Sequence, residues 1–514
     1  MAVTIARLHG APGKDVFDVV KPISLYAASM ALCLSACTFG PDYRRPMVAV
    51  PQSFTAGVAW RRADANPQGA ISSTWWTSYR DPQLTALIGR AMAANPGIEA
   101  QQAADRVAHA VVAANVAGLF PTVAGTLTAD KAGPSGGNNL FNPASFQPAF
   151  GSTLSASWEL DLWGKVRRQI QSSRAAAEAS DAELAGERLS ITSSVAAAYF
   201  QLRQADVDTE LLRHQERIDS ELLGMTKAAF TQGAASNDQV LSAQNTLEAA
   251  IAARENTEAA REQYEHAIAV LVGVPPETFH LAPDPAYRFV VPDIPVSVPS
   301  ELLERRYDVV SAERTAAAAS AQIGVAIAAF FPSLSLSAEF GLESNMLGQL
   351  FSLPNQYWIL GPTLAPTFFE GGARRAALGE ARATFDQDAA TYRQTVLAAF
   401  QSVEDSLSTL DHLRQQARAF AGVYDGSSAL FASQKAQLEA GTASRQNVLG
   451  QQLTLLQAQQ SLTDTQALMV QDSVGLIKNL GGGWQWHGKP GLAPPPPAPP
   501  APPAPRAPMS PTDH

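Results

Sequence analysis

Gly233-Ala234-Ala235-Ser236-Asn237-Asp238-Gln239-Val240-Leu241 returns as Gly441-Thr442-Ala443-Ser444-Arg445-Gln446-Asn447-Val448-Leu449, 208 positions later. The same offset carries Val195 to Val403, Leu202 to Leu410, Gln244 to Gln452 and Gly273 to Gly481. Upstream, Phe120-Pro121 matches Phe331-Pro332 and Gly151 matches Gly361 at slightly longer offsets, so small length differences sit in loops. A repeat of this size means two copies of one structural unit, and it decides how the rest of the chain is parsed. The copies span residues 120–274 and 331–487.

Each copy opens with two segments of period-two alternation, the signature of strands with unlike faces. In the first copy Phe150, Leu154, Ala156, Trp158, Leu160 and Leu162 share one parity, against Gly151, Thr153, Ser155, Ser157, Glu159 and Asp161. Leu334, Leu336, Ala338, Phe340 and Leu342 repeat it against Ser333, Ser335, Ser337, Glu339 and Glu343. Segments 122–130 and 357–368 bring the count to four. Such strands suit a barrel wall with lipid outside and water within, with a half-buried strand of a soluble sandwich as the lesser alternative. Trp158, Trp163, Trp358, Phe368 and Phe369 fall near strand ends, where a membrane interface favours amphipathic rings. If lipid is the answer, four strands are too few: an open edge leaves backbone donors and acceptors unsatisfied, and the smallest barrels have about eight strands. Partner chains are then required. Pro362 and Pro366 predict local irregularity in the fourth strand.

Proline-free helical stretches follow, over 166–231 and 374–439 and then 237–272 and 445–480. A helix of the first length is about 100 Å long, far beyond a compact domain. Leu449, Leu453, Leu456, Gln460, Thr463, Ala467, Val470, Val474 and Ile477 step by threes and fours, a coiled-coil seam. Gly233 and Gly441 are placed to stop the first helix of each pair, and Ser236 and Ser444 to cap the second. Both motifs are therefore expected to be hairpin tips.

Outside the copies, residues 1–36 read as a signal peptide whose apolar run ends in Leu34-Ser35-Ala36-Cys37, similar to a bacterial lipobox with Cys37 as the acylated residue. Asp15 and Asp18 make the leader long and acidic, which points to a start downstream of Met1. Residues 37–74 are then a lipid-anchored segment and 75–119 N-terminal helices. Residues 275–330 hold a proline-rich linker and a connecting helix. The tail, 488–514, is expected to stay extended and unpacked. Cys33 and Cys37 are the only cysteines, so neither disulfides nor thiolate metal sites hold the remainder.

The net charge of −10 argues against binding a phosphate backbone, so no nucleic-acid partner is expected. The histidines at 9, 109, 214, 266, 280, 412, 487 and 514 are scattered, and no His-Glu-x-x-His, Gly-x-Ser-x-Gly or phosphate loop occurs. No enzyme, cofactor or metal is expected. Glu159 and Asp161 fit the water-facing side of a strand better than a catalytic pair.

The lipobox, Gly40-Pro41-Asp42-Tyr43, Trp75-Trp76, Asp81-Pro82, Asn95-Pro96, Phe120-Pro121 and the two hairpin copies, in this order, resemble the outer membrane efflux protein family of the TolC, OprM and NodT type. The resemblance implies an α+β membrane protein with four β-strands per protomer in a trimeric 12-stranded barrel, and long helical hairpins forming a periplasmic tunnel. It implies a homotrimer in the outer membrane, anchored in its lipid through Cys37 and extending into the periplasm. A periplasmic adaptor and an inner-membrane pump, of the RND class, would dock at tips built from Gly233, Ser236, Asp238, Gly441, Thr442, Ser444, Arg445 and Asn447. The duct would pass small toxic or hydrophobic compounds. Where relatives close these tips with aspartates, this chain carries Asn447 and Gly450, and an Asp238–Arg445 pair is the substitute gate expected here. A type I protein-secretion duct and a periplasmic coiled-coil lipoprotein scaffold remain alternatives.

Overall fold

The computed structural model describes residues 39–49, 71–132, 147–294 and 305–484. The signal peptide, Cys33, Cys37, Thr38 and the proline-rich tail lie outside the described residues.

In chain order come a short 3-10 turn (Trp75–Tyr79), α1 (Pro82–Ala94), α2 (Pro96–Ala117), β1 (Thr122–Ala132) and β2 (Gln147–Leu160). There follow α3 (Lys165–Thr231), α4 (Asn237–Leu271), α5 (Tyr307–Ala328), β3 (Ser333–Ser344), β4 (Gln356–Ala365), α6 (Ala373–Glu439) and α7 (Arg445–Asn479). Local chemistry sets the breaks. Asp81 accepts from the amides of Gln83 and Leu84 and starts α1; Asn95 does the same for Gly97 and Ile98, so α2 begins where α1 stops. Both caps are followed by proline at the first helical position, where its missing N–H costs nothing.

The sheet is antiparallel in the order β1-β2-β3-β4. Its register puts Val123, Ala156, Ala338 and Leu360 in one row, and Gly125, Leu154, Phe340 and Trp358 in the next. The apolar parities of all four strands thus share a face. Ser155, Glu339 and Ile359 form a row on the other, where Ile359 interrupts a polar surface of Ser, Thr, Gly and Glu. Contrary to expectation, β4 is regular: Pro362 pairs with Leu336 and the ladder runs to Ala365, stopping before Pro366. Within the protomer β4 is the outer strand of the sheet, where a missing ladder donor costs least.

Below the sheet, α3 and α6 are spines of 67 residues each. Nearest the strands α2 packs on α3, α3 on α5 and α5 on α6; farther away α4 packs on α3, α3 on α7 and α7 on α6. The upper partners have 22 residues and the lower ones 35, so together they nearly fill the spines. The main core lies at the waist where the two tiers meet. Val195 and Val403, and Leu202 and Leu410, each related by the 208-residue offset, are all fully buried there beside Leu84, Ile88, Tyr199, Val470 and Val474. No helix among the described residues is long and apolar enough to cross a membrane.

A buried charge network fastens the linker to this waist. The Asp206 carboxylate accepts from Arg203 (2.6 Å), Arg261 (2.6 Å) and the amide of Asp284 (3.0 Å). Arg261 also reaches Glu265 (2.8 Å) and the Leu281 carbonyl (2.6 Å). Removing one member of such a network strands the others in a low-dielectric core. Asp206→Ala is therefore expected to destabilise the protein by about 3–5 kcal/mol, read as a lowered denaturant midpoint for the detergent-solubilised protein; a change of a few tenths would mean the guanidinium groups find water.

Candidate functional site

The strands have 11, 14, 12 and 10 residues, enough to cross about 30 Å of hydrocarbon when tilted. On the apolar face Val123, Leu127, Leu154, Phe340, Leu360 and Leu364 stand exposed. On the opposite face the Tyr357 hydroxyl donates to Glu339 (2.7 Å) and lies 3.3 Å from the Thr153 hydroxyl. One side of the sheet suits lipid and the other water. The outer edges, β1 and β4, have no partner strand among the described residues.

The aromatic residues mark the two ends of this sheet. Trp358, 74% exposed, lies at the start of β4, away from the helices, whereas Phe368 (94%) and Phe369 (90%) follow its other end. Trp158 and Trp163 lie at the helix end of β2 but are less free than their sequence positions imply. The Trp158 indole donates to the Leu119 carbonyl (2.9 Å), and that of Trp163 to Pro332 (2.7 Å). Trp163 also stacks on Phe331, itself stacked on Phe39. These two rings brace the junction of strand and helix. Asp161 departs from expectation altogether. It accepts from the amides of Val166 and Arg167 at 3.0 Å and so caps the start of α3, where helix amides are otherwise unpaired. Only Glu159 of that pair belongs to the strand, and it meets Lys165 at 3.3 Å.

Phe39 and Gly40 enter the same junction. Arg168 donates to both their carbonyls, at 3.2 and 3.1 Å. Gly40 has φ +113°, and a Cβ there would stand 2.6 Å from the Gly324 Cα, so only glycine fits. The segment then runs along the helices to Arg45, 3.8 Å from Glu313.

At the far end the hairpins turn alike. Gly233 (φ +72°) and Gly441 (φ +76°) take the left-handed conformation that only glycine adopts without strain. Amides of the next residues, Ala234 and Thr442, bond back to Ala229 (2.9 Å) and Gln437 (2.8 Å), satisfying carbonyls at the helix ends. The Thr442 hydroxyl adds a second bond to Gln437. Ser236 caps α4 in a reciprocal box with Gln239, and Ser444 caps α7 through the Asn447 amide (3.2 Å). The tip residues are solvent-exposed. The expected Asp238–Arg445 pair is not formed within the protomer. Arg445 instead makes a bidentate ion pair with Glu221 of α3, at 2.8 and 3.1 Å, which holds that carboxylate below its ordinary range. Asp238 lines a groove between α3 and α4 with Leu212, Gln215 and Ser242. No local signal marks Glu221: it lies 224 residues from Arg445 and becomes its partner only once the hairpins pack.

A second contact between hairpins lies deeper. Asp208 of α3 and Asp464 of α7 adjoin, with Gln204 donating to Asp464 at 2.8 Å and Gln471 to Gln204 at 3.2 Å. One Asp208 oxygen is buried without a hydrogen-bond partner. Burial, and then the Asp464 charge, push the Asp208 carboxyl up to about 7, and burial also raises Asp464. A carboxyl raised on folding binds its proton more tightly in the folded state, so stability falls as pH rises from about 4, its unfolded value, through 7. Asp208→Asn is expected to flatten this dependence and to raise the unfolding temperature at pH 8 more than at pH 5. Equal changes at both would dissociate the pair from the titration.

With this geometry in hand, likeness to known proteins is informative. The family profile of outer membrane efflux proteins matches residues 87–274 and 298–482. The pyoverdine export outer membrane protein OpmQ of Pseudomonas aeruginosa is 30% identical over 484 residues, covering 91% of this chain and 98% of the relative. Outer membrane protein OprJ of the same organism is 31% identical over 472 residues, covering 89% and 95%. The solved structure of the outer-membrane channel OprN superposes with a TM-score of 0.75 at 29% identity, over 87% of this chain and all of that one.

Proposed function

The chain belongs to the outer membrane efflux protein family, and on that premise we propose that three copies close one passive duct from the helical tips to the cell exterior. The protein is an outer-membrane efflux channel subunit. The observation that carries the trimeric reading is the pair of open edges. The four strands form a row ending in β1 and β4, and the upper helices a row ending in α2 and α6, both adjacent to the same strand–helix junction. Val107 and Val111 on α2, and Leu397 on α6, leave apolar surface exposed on those outer helices. Three protomers give twelve strands, more than the roughly eight whose interior side chains just fill.

Cys37 is the proposed lipid attachment. Support comes from Phe39, two residues on, which docks at the junction beside Trp163 and Phe331, at the helix end of the sheet. Acyl chains there would enter the inner leaflet of the outer membrane. Barrel insertion makes the lipid a secondary anchor. Cys37→Ser protein is expected to remain detergent-requiring and trimeric by light scattering; a soluble monomer would leave the lipid as sole anchor and overturn the barrel reading.

Delivery is proposed to come from an inner-membrane pump of the RND class through a periplasmic adaptor seated on the tips around Gly233, Ser236, Asp238, Gly441, Thr442, Ser444, Arg445 and Asn447. The duct itself does no bond chemistry. Cargo of small toxic or hydrophobic compounds is supported by the relatives' printed roles, which include toluene and solvent efflux. Deleting the gene should sensitise cells to dyes, detergents and hydrophobic antibiotics.

The Arg445–Glu221 bridge is proposed as the latch that holds the second hairpin against the first. An exposed pair of this kind is screened by water and contributes little to stability, which suits a contact that must open. Arg445→Ala and Glu221→Ala are each expected to raise the resting conductance of the channel in planar bilayers. Unchanged resting conductance in both would dismiss the latch.

A further inference from the structure

Asp105 and His109 lie four residues apart on α2, so their side chains share one face of that helix. Packing of α2 on α3 brings Asp181 against them. The His109 Nε2 lies 3.2 Å from Asp181 Oδ1 and 3.8 Å from Asp105 Oδ1. One ligand-type atom from each of the three falls within 4.8 Å of the others. From this constellation we propose that Asp105, His109 and Asp181 bind a divalent transition-metal ion of zinc(II) character in the groove between α2 and α3.

The spacing fits the ion. Zinc bonds to imidazole nitrogen and carboxylate oxygen are about 2.0–2.2 Å long, so two ligands of a tetrahedral zinc stand roughly 3.3–3.6 Å apart. The nitrogen–oxygen separations of 3.2 and 3.8 Å bracket that range. The donor set is mixed, with one imidazole nitrogen and two carboxylates drawn from two helices. It favours zinc, cobalt or nickel over calcium or magnesium, which take all-oxygen sites. A fourth position is left for water.

An independent observation points the same way. Asp105 Oδ1, one of the three ligand atoms, is buried and has no hydrogen-bond partner. The histidine alone cannot serve both acids, because Nε2 carries at most one hydrogen and the shorter contact is to Asp181. A metal ion is held by both carboxylates and the imidazole together. Burial and the nearby Asp181 push the Asp105 carboxyl up, while His109 and Arg188 pull it down; a dication would relieve the repulsion between the acids. The side chains of His109 and Asp181 are about half and a third exposed, which leaves a path for entry.

The test uses the full-length protein in detergent, purified without a polyhistidine tag and stripped with chelator. Titration calorimetry with zinc(II) should find one equivalent per chain. His109→Ala and Asp181→Asn should each weaken binding at least ten-fold, whereas His214→Ala, which breaks a surface His–Glu210 pair, should leave it unchanged. Cobalt(II) bound to the unmutated protein should show the visible bands of tetrahedral nitrogen and oxygen coordination, displaced by zinc. That spectrum stands as evidence even if a variant fails to assemble. No stoichiometric zinc binding, equal affinity in both site variants, or displacement by calcium or magnesium at similar concentrations would each overturn the site.

Discussion

A β-sheet edge cannot face hydrocarbon, because each unpaired N–H and C=O there is without a partner and costs several kcal/mol. Everything above the waist of this protein answers to that constraint. Its sheet has an apolar face, a polar face and two open edges, and the helices beneath form a row that is open in the same way. A protomer of this form is an arc, and copies of itself are the simplest material with which to close it. The helical tier faces water, where an exposed edge is tolerable, so the lipid-facing sheet is what enforces closure.

The spines carry that arc away from the membrane. Each is too long to be covered by one neighbour, and the fold pairs it with a short helix above and a long one below. The waist between is where helix ends accumulate, with their unpaired amides and carbonyls, and it is there that the buried charges sit. Arg203, Asp206, Arg261 and Glu265 bind linker backbone as much as one another. Apolar packing joins the tiers, and the charges pin the irregular chain that wraps them. Farther down, contacts between the hairpins become polar, from the part-buried Asp208–Asp464 pair to the exposed Arg445–Glu221 bridge. The molecule is thus held firmly at its middle and lightly at its tips.

Much of this was legible in the residues. Period-two alternation places all four strands because each has unlike faces, and the repeat places both hairpins because Gly and Ser recur where a chain must stop one helix and cap the next. Local chemistry of that kind is carried by neighbours in sequence. Pro362 was less legible, since its tolerance depends on β4 being the outer strand of the protomer's sheet. Asp161 was misread as a strand residue because parity continues past the strand's end, whereas the α3 amides claim it. Trp163 reads as an interface ring, but Phe39 and Phe331, far away in sequence, cover it.

By itself the sequence determined the alternating strands, the spine lengths, the tips and, for a sheet set in lipid, the need for further chains, since all follow from periodicity, breakers and the satisfaction of backbone groups. Only the tertiary structure decided the pairings across hairpins and helices: Glu221 with Arg445, Asp208 with Asp464, and Asp105 and His109 with Asp181. Each joins residues 72 to 256 positions apart. The physical reason is that the identity of a partner depends on the rotation and axial stagger of packed helices. Those are set by the sum of many small contacts along the spines, and no short motif records that sum.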